Sequence, residues 1–205
     1  MKKSTVISLC TFFVFLVGCS EAPKPAEKAA EAKPAEPVSG RYALFQMYTA
    51  ARAWAPDIET LKLANIPVQG VAPKPGKSGA WQAIFVSARS NRARSYTYSV
   101  VEGEGNLHKG VFAGPEEGWS GPKGITKPFP MAAIKVDSDA SYETAMKKGA
   151  DYAKKNPDKP IQYLLERTDK YPDPAWRVVW GESVGTSNYS IYVDAGTGLY
   201  LETVH

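Results

Sequence analysis

The order helix, Pro-Asp, strand, strand occurs twice along this chain, and that repetition limits the fold more than any other feature. The first occurrence has an apolar-faced segment at 42–54, then Pro56-Asp57, then strand-like runs at 80–88 and 94–101. The second has 142–155, Pro157-Asp158, and runs at 176–182 and 189–194. Landmarks recur at similar offsets: 101 between Pro56 and Pro157, 95 between Trp81 and Trp176, 93 between Tyr96 and Tyr189. Loops of unequal length in a duplicated unit produce such drift; chance recurrence of a common order is the alternative.

The periods within each segment say what it becomes. Tyr142, Ala145, Met146, Gly149, Tyr152 and Ala153 are spaced by threes and fours, which places them on one helical face. Asp137 and Asp139 precede that face and Lys154 and Lys155 close it, matching the helix dipole at both ends. Gly149 costs a helix about 1 kcal/mol relative to Ala, and on the packed face it allows a close approach to a sheet. Trp176, Val178 and Trp180 alternate with their neighbours, as do Tyr189, Ile191 and Val193, so these runs are strands with one buried face. The run Asp194-Ala-Gly-Thr-Gly198 supplies turn residues before a last strand at 199–204, predicting an antiparallel hairpin.

A helix and a sheet that each bury one face complete one another, so the fold class is α+β. The segment 58–66 suits a helix or a strand; by analogy with 161–167, which also follows a Pro-Asp pair, it is assigned as strand. Residues 103–130 are rich in Gly and Pro and are expected to hold one short strand at 109–112 and the link between copies.

Residues 189–201, YSIYVDAGTGLYL, resemble the closing hairpin of PepSY-type domains: an alternating strand, Asp-Ala, a Gly-containing turn and a final strand. The preceding helix and the Trp176 strand extend the resemblance over 131–205. It implies two helix-on-antiparallel-sheet (PepSY-like) units, a divergent first one with the inter-unit loop at 41–130 and a second at 131–205. The resemblance also implies a place in the cell envelope and admits an inhibitory or peptidase-regulating role; no peptidase follows the domain, which argues against a propeptide.

The N-terminus sets the location. Lys2 and Lys3 are followed by an apolar run from 6 to 17, then Gly18 and Cys19, the layout of an export signal. The run is shorter than the ~20 residues a bilayer-spanning helix needs. Leu16-Val17-Gly18-Cys19 resembles the lipobox of bacterial lipoproteins, which implies cleavage after residue 18 and acylation of Cys19. Two or three acyl chains give stable anchoring where one gives only marginal binding. Residues 19–40, the lipidated Cys and a stretch of Ala, Pro, Glu and Lys, cannot bury enough apolar surface to offset the entropy of ordering, so they are expected to form a disordered tether. Ser20, where a sorting Asp could stand, points to the outer membrane, facing the periplasm, if the host is Gram-negative.

Processing removes two of the 25 basic residues and none of the 21 acidic ones, so the mature surplus is only +2 and nucleic acid is not an expected partner. Cys10 and Cys19 both lie in the signal region, leaving the folded part without a thiol for a metal or a nucleophile. The mature chain holds two histidines, His108 and the terminal His205, too few to supply a hydrolytic base and a zinc site by any familiar spacing. The acid pairs Glu116-Glu117 and Asp137/Asp139 are taken as loop and helix-start residues, and Gly103-Glu-Gly105 as a turn. No metal, cofactor or catalytic residue is therefore assigned. An enzyme using carboxylates alone, as some glycan-cleaving enzymes do, is the remaining catalytic alternative. The candidate binding surface is a basic tip between two strands, Arg89, Arg92 and Arg94, with Trp119 in the following loop. The expectation is a non-enzymatic lipoprotein held by membrane lipid through Cys19, whose partner is an envelope protein or peptide.

Overall fold

The computed structural model describes residues 34–105, 107–122 and 124–205. The expected signal peptide, Cys19 and the expected tether up to residue 33 lie outside the described residues. The fold is α+β, and its elements follow the predicted order. A two-residue strand β1 (Val38–Ser39) leads into α1 (Gly40–Ala51), then β2 (Glu59–Ile66), β3 (Lys77–Ser78), β4 (Ala80–Ser87), β5 (Arg92–Ser99), β6 (Gly110–Gly118) and β7 (Thr126–Lys127). The second half has α2 (Ser138–Lys148), α3 (Ala150–Lys155), β8 (Ile161–Thr168), β9 (Ala175–Trp180), β10 (Ser190–Asp194) and β11 (Tyr200–Val204).

Each half is a helix followed by a four-strand antiparallel meander, and the two meanders share one sheet in the order β11-β10-β9-β8-β2-β4-β5-β6. The join is made by the first strand of each half: Lys62 pairs with Glu166, Leu63 with Leu165 and Ala64 with Leu164. Leu63 and Leu165 are fully buried at this seam. α1 packs on β4 and β5, and α2 on β9 and β10. Alternation sorts the strands as expected: Trp176, Val178 and Trp180, and Ile191 and Val193, are at most 1% exposed.

The two halves are tied together where their helices begin. The indole Nε1 of Trp81 donates to Val38 O at 3.0 Å, and that of Trp176 donates to Val136 O at 3.0 Å. Each accepting carbonyl lies two residues before the first residue of its own helix. The two rings meet edge to face, 6.3 Å apart, and Gly40 lies against both, where a Cβ would come within 2.5 Å of Trp176 Cη2 and 3.0 Å of Trp81 Cη2. Asp137, the N-cap of α2, accepts from Ser138 N at 2.6 Å and also from Arg41 N at 2.8 Å and Ser39 Oγ at 2.6 Å. One carboxylate thus serves the starts of two helices. Asp137→Ala should cost about 2 kcal/mol, the upper end of the range for a single N-cap, read from the urea midpoint. A loss under about 0.5 kcal/mol would show that α1 does not depend on this cap.

Several sequence-based boundaries are corrected. The predicted helix 142–155 is two helices, α2 and α3, interrupted at Gly149. The close approach expected of Gly149 is present, with its Cβ position 3.0 Å from Ile191 Cδ1. The strand expected at 109–112 continues to Gly118. It lies at the outer edge of the sheet, where Pro115 can be accommodated because no further strand needs its missing N–H. Residues 37–40, expected to end the tether, belong to the folded body: Pro37 is buried, Val38 pairs with Ser78 and Gly40 begins α1. Phe129 lies in the link between the halves, as expected, and is buried there, its backbone exchanging hydrogen bonds with Thr60 at 2.8 and 2.9 Å.

Candidate binding surface

The β4–β5 turn is built by a carboxylate and a left-handed residue. Asp57 accepts from Ser87 Oγ at 2.8 Å and from Arg89 N at 3.0 Å, and Asn91 takes φ +54°. The Arg89 N–H and the Ser87 hydroxyl hold the Asp57 carboxyl below its ordinary range. This turn carries the predicted basic tip, and Trp119 joins it because its N–H donates to Asn91 O at 2.9 Å. The four candidate residues therefore stand at one end of β4, β5 and β6.

Their charges are employed differently. Arg89 is exposed. Arg92 lies 3.4 Å from Glu116, which also accepts from Trp54 Nε1 at 3.0 Å. Arg94 donates to Gly114 O at 2.8 Å and lies over the Tyr96 ring at 5.6 Å, so it helps hold β6 to β5. Glu116 and Glu117, expected in a loop, are β6 residues paired with Arg94 and Ala93 of β5. The tip is less basic than its three arginines imply.

A second surface went unnoticed in the sequence. The turn Lys74-Pro75-Gly76-Lys77 closes with Lys77 N on Lys74 O at 2.9 Å. Two side chains from the other half hold it: Gly76 N donates to the Tyr163 hydroxyl at 2.9 Å, and Ser138 Oγ donates to Gly76 O at 2.6 Å. Burial pushes the Tyr163 hydroxyl well above the usual tyrosine range, keeping it protonated. Between the segment 67–79 and the segment 157–163 lies a groove of about 370 Å³. Pro67, Val68, Val71, Pro157, Pro160 and Ile161 wall it, and Tyr142 and Tyr163 line it as well. Among the described residues, Lys74, Lys77 and Lys159 are its charged lining residues and none of the lining is acidic. Proline clusters near both Pro-Asp landmarks were the available sequence signal, but the two walls are some 90 residues apart in the chain.

The residues weighed for catalysis are placed without convergence. His108 Nδ1 lies 2.6 Å from Glu102 Oε1 on the surface, its ring 4.7 Å from that of Phe112. His205 packs edge-on against Tyr189. Asp137 and Asp139 sit at the start of α2. Among the described residues, no group of three or more His, Cys, Asp or Glu side chains is arranged to hold a metal, and no helix is long and apolar enough to cross a membrane.

No protein-family model matches the chain, and no curated protein matches it. Among solved structures, the 1.85 Å crystal structure of a Clostridium difficile 630 protein, provisionally described as a lipoprotein, aligns at 10% identity. The alignment covers 84% of this chain and 95% of that one, with a TM-score of 0.47. It is a distant structural neighbour.

Proposed function

We propose that this chain is a non-catalytic lipoprotein of the cell envelope, anchored through acylated Cys19, whose folded body binds another protein or a peptide. The observation that carries the location is Leu16-Val17-Gly18-Cys19 standing at the end of an apolar run preceded by two lysines. The folded body begins at Pro37, so the Ala/Pro/Glu/Lys stretch has the place of a spacer between lipid and fold. Ser20, where a sorting Asp could stand, favours the outer membrane, facing the periplasm, in a Gram-negative host. The binding role is supported by a rigid groove with apolar walls and a few charged groups, which is the usual character of a ligand site.

Mass spectrometry of the native protein should find an acylated Cys19 as the first residue, and Cys19→Ser should move the protein from the membrane fraction to the soluble fraction. An unmodified residue 19, or a retained signal, would remove the envelope assignment. Capture from solubilised envelope should recover a specific partner, and repeated failure to do so would argue against the binding role.

A further inference from the structure

We propose that the groove between residues 67–79 and 157–163 receives an acidic peptide segment in extended conformation; this names the partner class of the binding role proposed above and rests on it. The charge of the groove selects the ligand. Among the described residues its lining includes Lys74, Lys77 and Lys159 and no carboxylate. An adjoining depression of about 440 Å³ adds Lys154, again with no acid, and shares Tyr142, Pro157, Lys159 and Ile161 with the groove. The two share lining residues and together offer more room than a compact anion such as phosphate needs.

The chain already demonstrates the preference. Glu36, whose side chain is 74% exposed, forms an ion pair with Lys74. Lys74 foremost, with Lys77 adding to it, holds that carboxyl below its ordinary range. A carboxylate at this rim is therefore favoured, and one on so exposed a side chain is readily exchanged for another.

The exposed prolines 67, 73, 75, 157 and 160, with half-buried Tyr142 beside them, give the groove stiff walls, and walls already fixed in place cost a docking segment little ordering of the receptor. The lysine-bearing turn is held on both sides by Tyr163 and Ser138, so Lys74 and Lys77 are placed before the ligand arrives. Lys159 is positioned too, donating to the Tyr152 hydroxyl at 2.8 Å.

The test uses the full chain in detergent and fluorescence anisotropy of a fluorescein-labelled decapeptide of alternating Glu and Pro. Its Gln-Pro counterpart serves as control. Binding of the Glu-Pro peptide should be at least about tenfold tighter than that of the Gln-Pro peptide and should weaken as salt is raised. The double variant Lys74→Gln/Lys77→Gln, with an unchanged urea midpoint, should lose about tenfold or more. Equal affinity for the two peptides would overturn the proposal, and so would a folded double variant that binds as the parent does. A preference for phosphatidylglycerol over phosphatidylcholine vesicles that disappears in the double variant, with no peptide binding, would reassign the lysines to lipid. If the double variant does not fold, the comparison of the two peptides on the parent chain decides. An envelope partner captured equally by parent and double variant would leave the binding role standing and remove the groove from it.

Discussion

Trp176→Ala should lower stability by about 3–5 kcal/mol, the cost of emptying a fully buried tryptophan site. Its ring is 0% exposed and stands on β9, between β8 and β10, edge to face with Trp81 and against Gly40. Loss of the indole also strips Val136 O of its donor just before α2, leaving a carbonyl that must find water or stay unpaired. At a few degrees per kcal/mol for a domain of this size, the melting temperature should fall by roughly 10 °C. Trp176→Phe is the milder test, because it keeps a six-membered ring in the site while losing the N–H and part of the indole volume. It should cost less than the alanine variant but more than the roughly 1–2 kcal/mol of one buried hydrogen bond, because the deleted ring atoms leave a cavity. An unchanged midpoint for the alanine variant would mean that this residue is not part of the core, and a ligand-binding role for it would then have to be considered.

The same residue shows how far the sequence could be followed. Alternation around Trp176 and around Ile191 is a local signal of period two, and it predicted both strands and their buried faces. The closing hairpin was equally local, since Asp194 Oδ1 accepts from Gly196 N, Thr197 N and Thr197 Oγ1 within the turn itself. The strand β6 was underestimated because Gly110, Gly114 and Pro115 read as breakers, whereas an edge strand tolerates them. Nothing local announces that Leu63 will face Leu165, or that Asp137 will cap α1 as well as its own helix. These contacts join residues about 100 positions apart, and only the packing of the two halves decides them. The candidate surfaces divide in the same way. The arginine tip is a hairpin end and was legible, but the partners that occupy Arg92 and Arg94 were not. The lysine groove has one wall in each half, so no single stretch of sequence contains it.

The seam between the halves makes the other large expected effect. Gly76→Ala should destabilise the protein by more than about 2–3 kcal/mol, through two separable causes. Gly76 has φ +68°, where a side chain costs roughly 1–2 kcal/mol. A Cβ there would also overlap the backbone N and Cα of Asp139 and come within 2.7 Å of Ser138 O. Those are backbone atoms of the first turn of α2, and they cannot yield as the end of a flexible side chain can. Moving them would pull Ser138 Oγ from Gly40 N, 2.7 Å away, and Asp137 from Arg41, so the beginnings of both helices would be disturbed together. Gly70→Ala isolates the first cause: Gly70 has φ +76° and nothing within 4 Å of its Cβ position. That variant should lose only the conformational penalty, about 1 kcal/mol. Urea denaturation of the two variants side by side measures the difference, which is the overlap with α2. Equal losses would mean that the turn does not rest on α2 as closely as described, and the rigid placement of Lys74 and Lys77 would lose its physical basis.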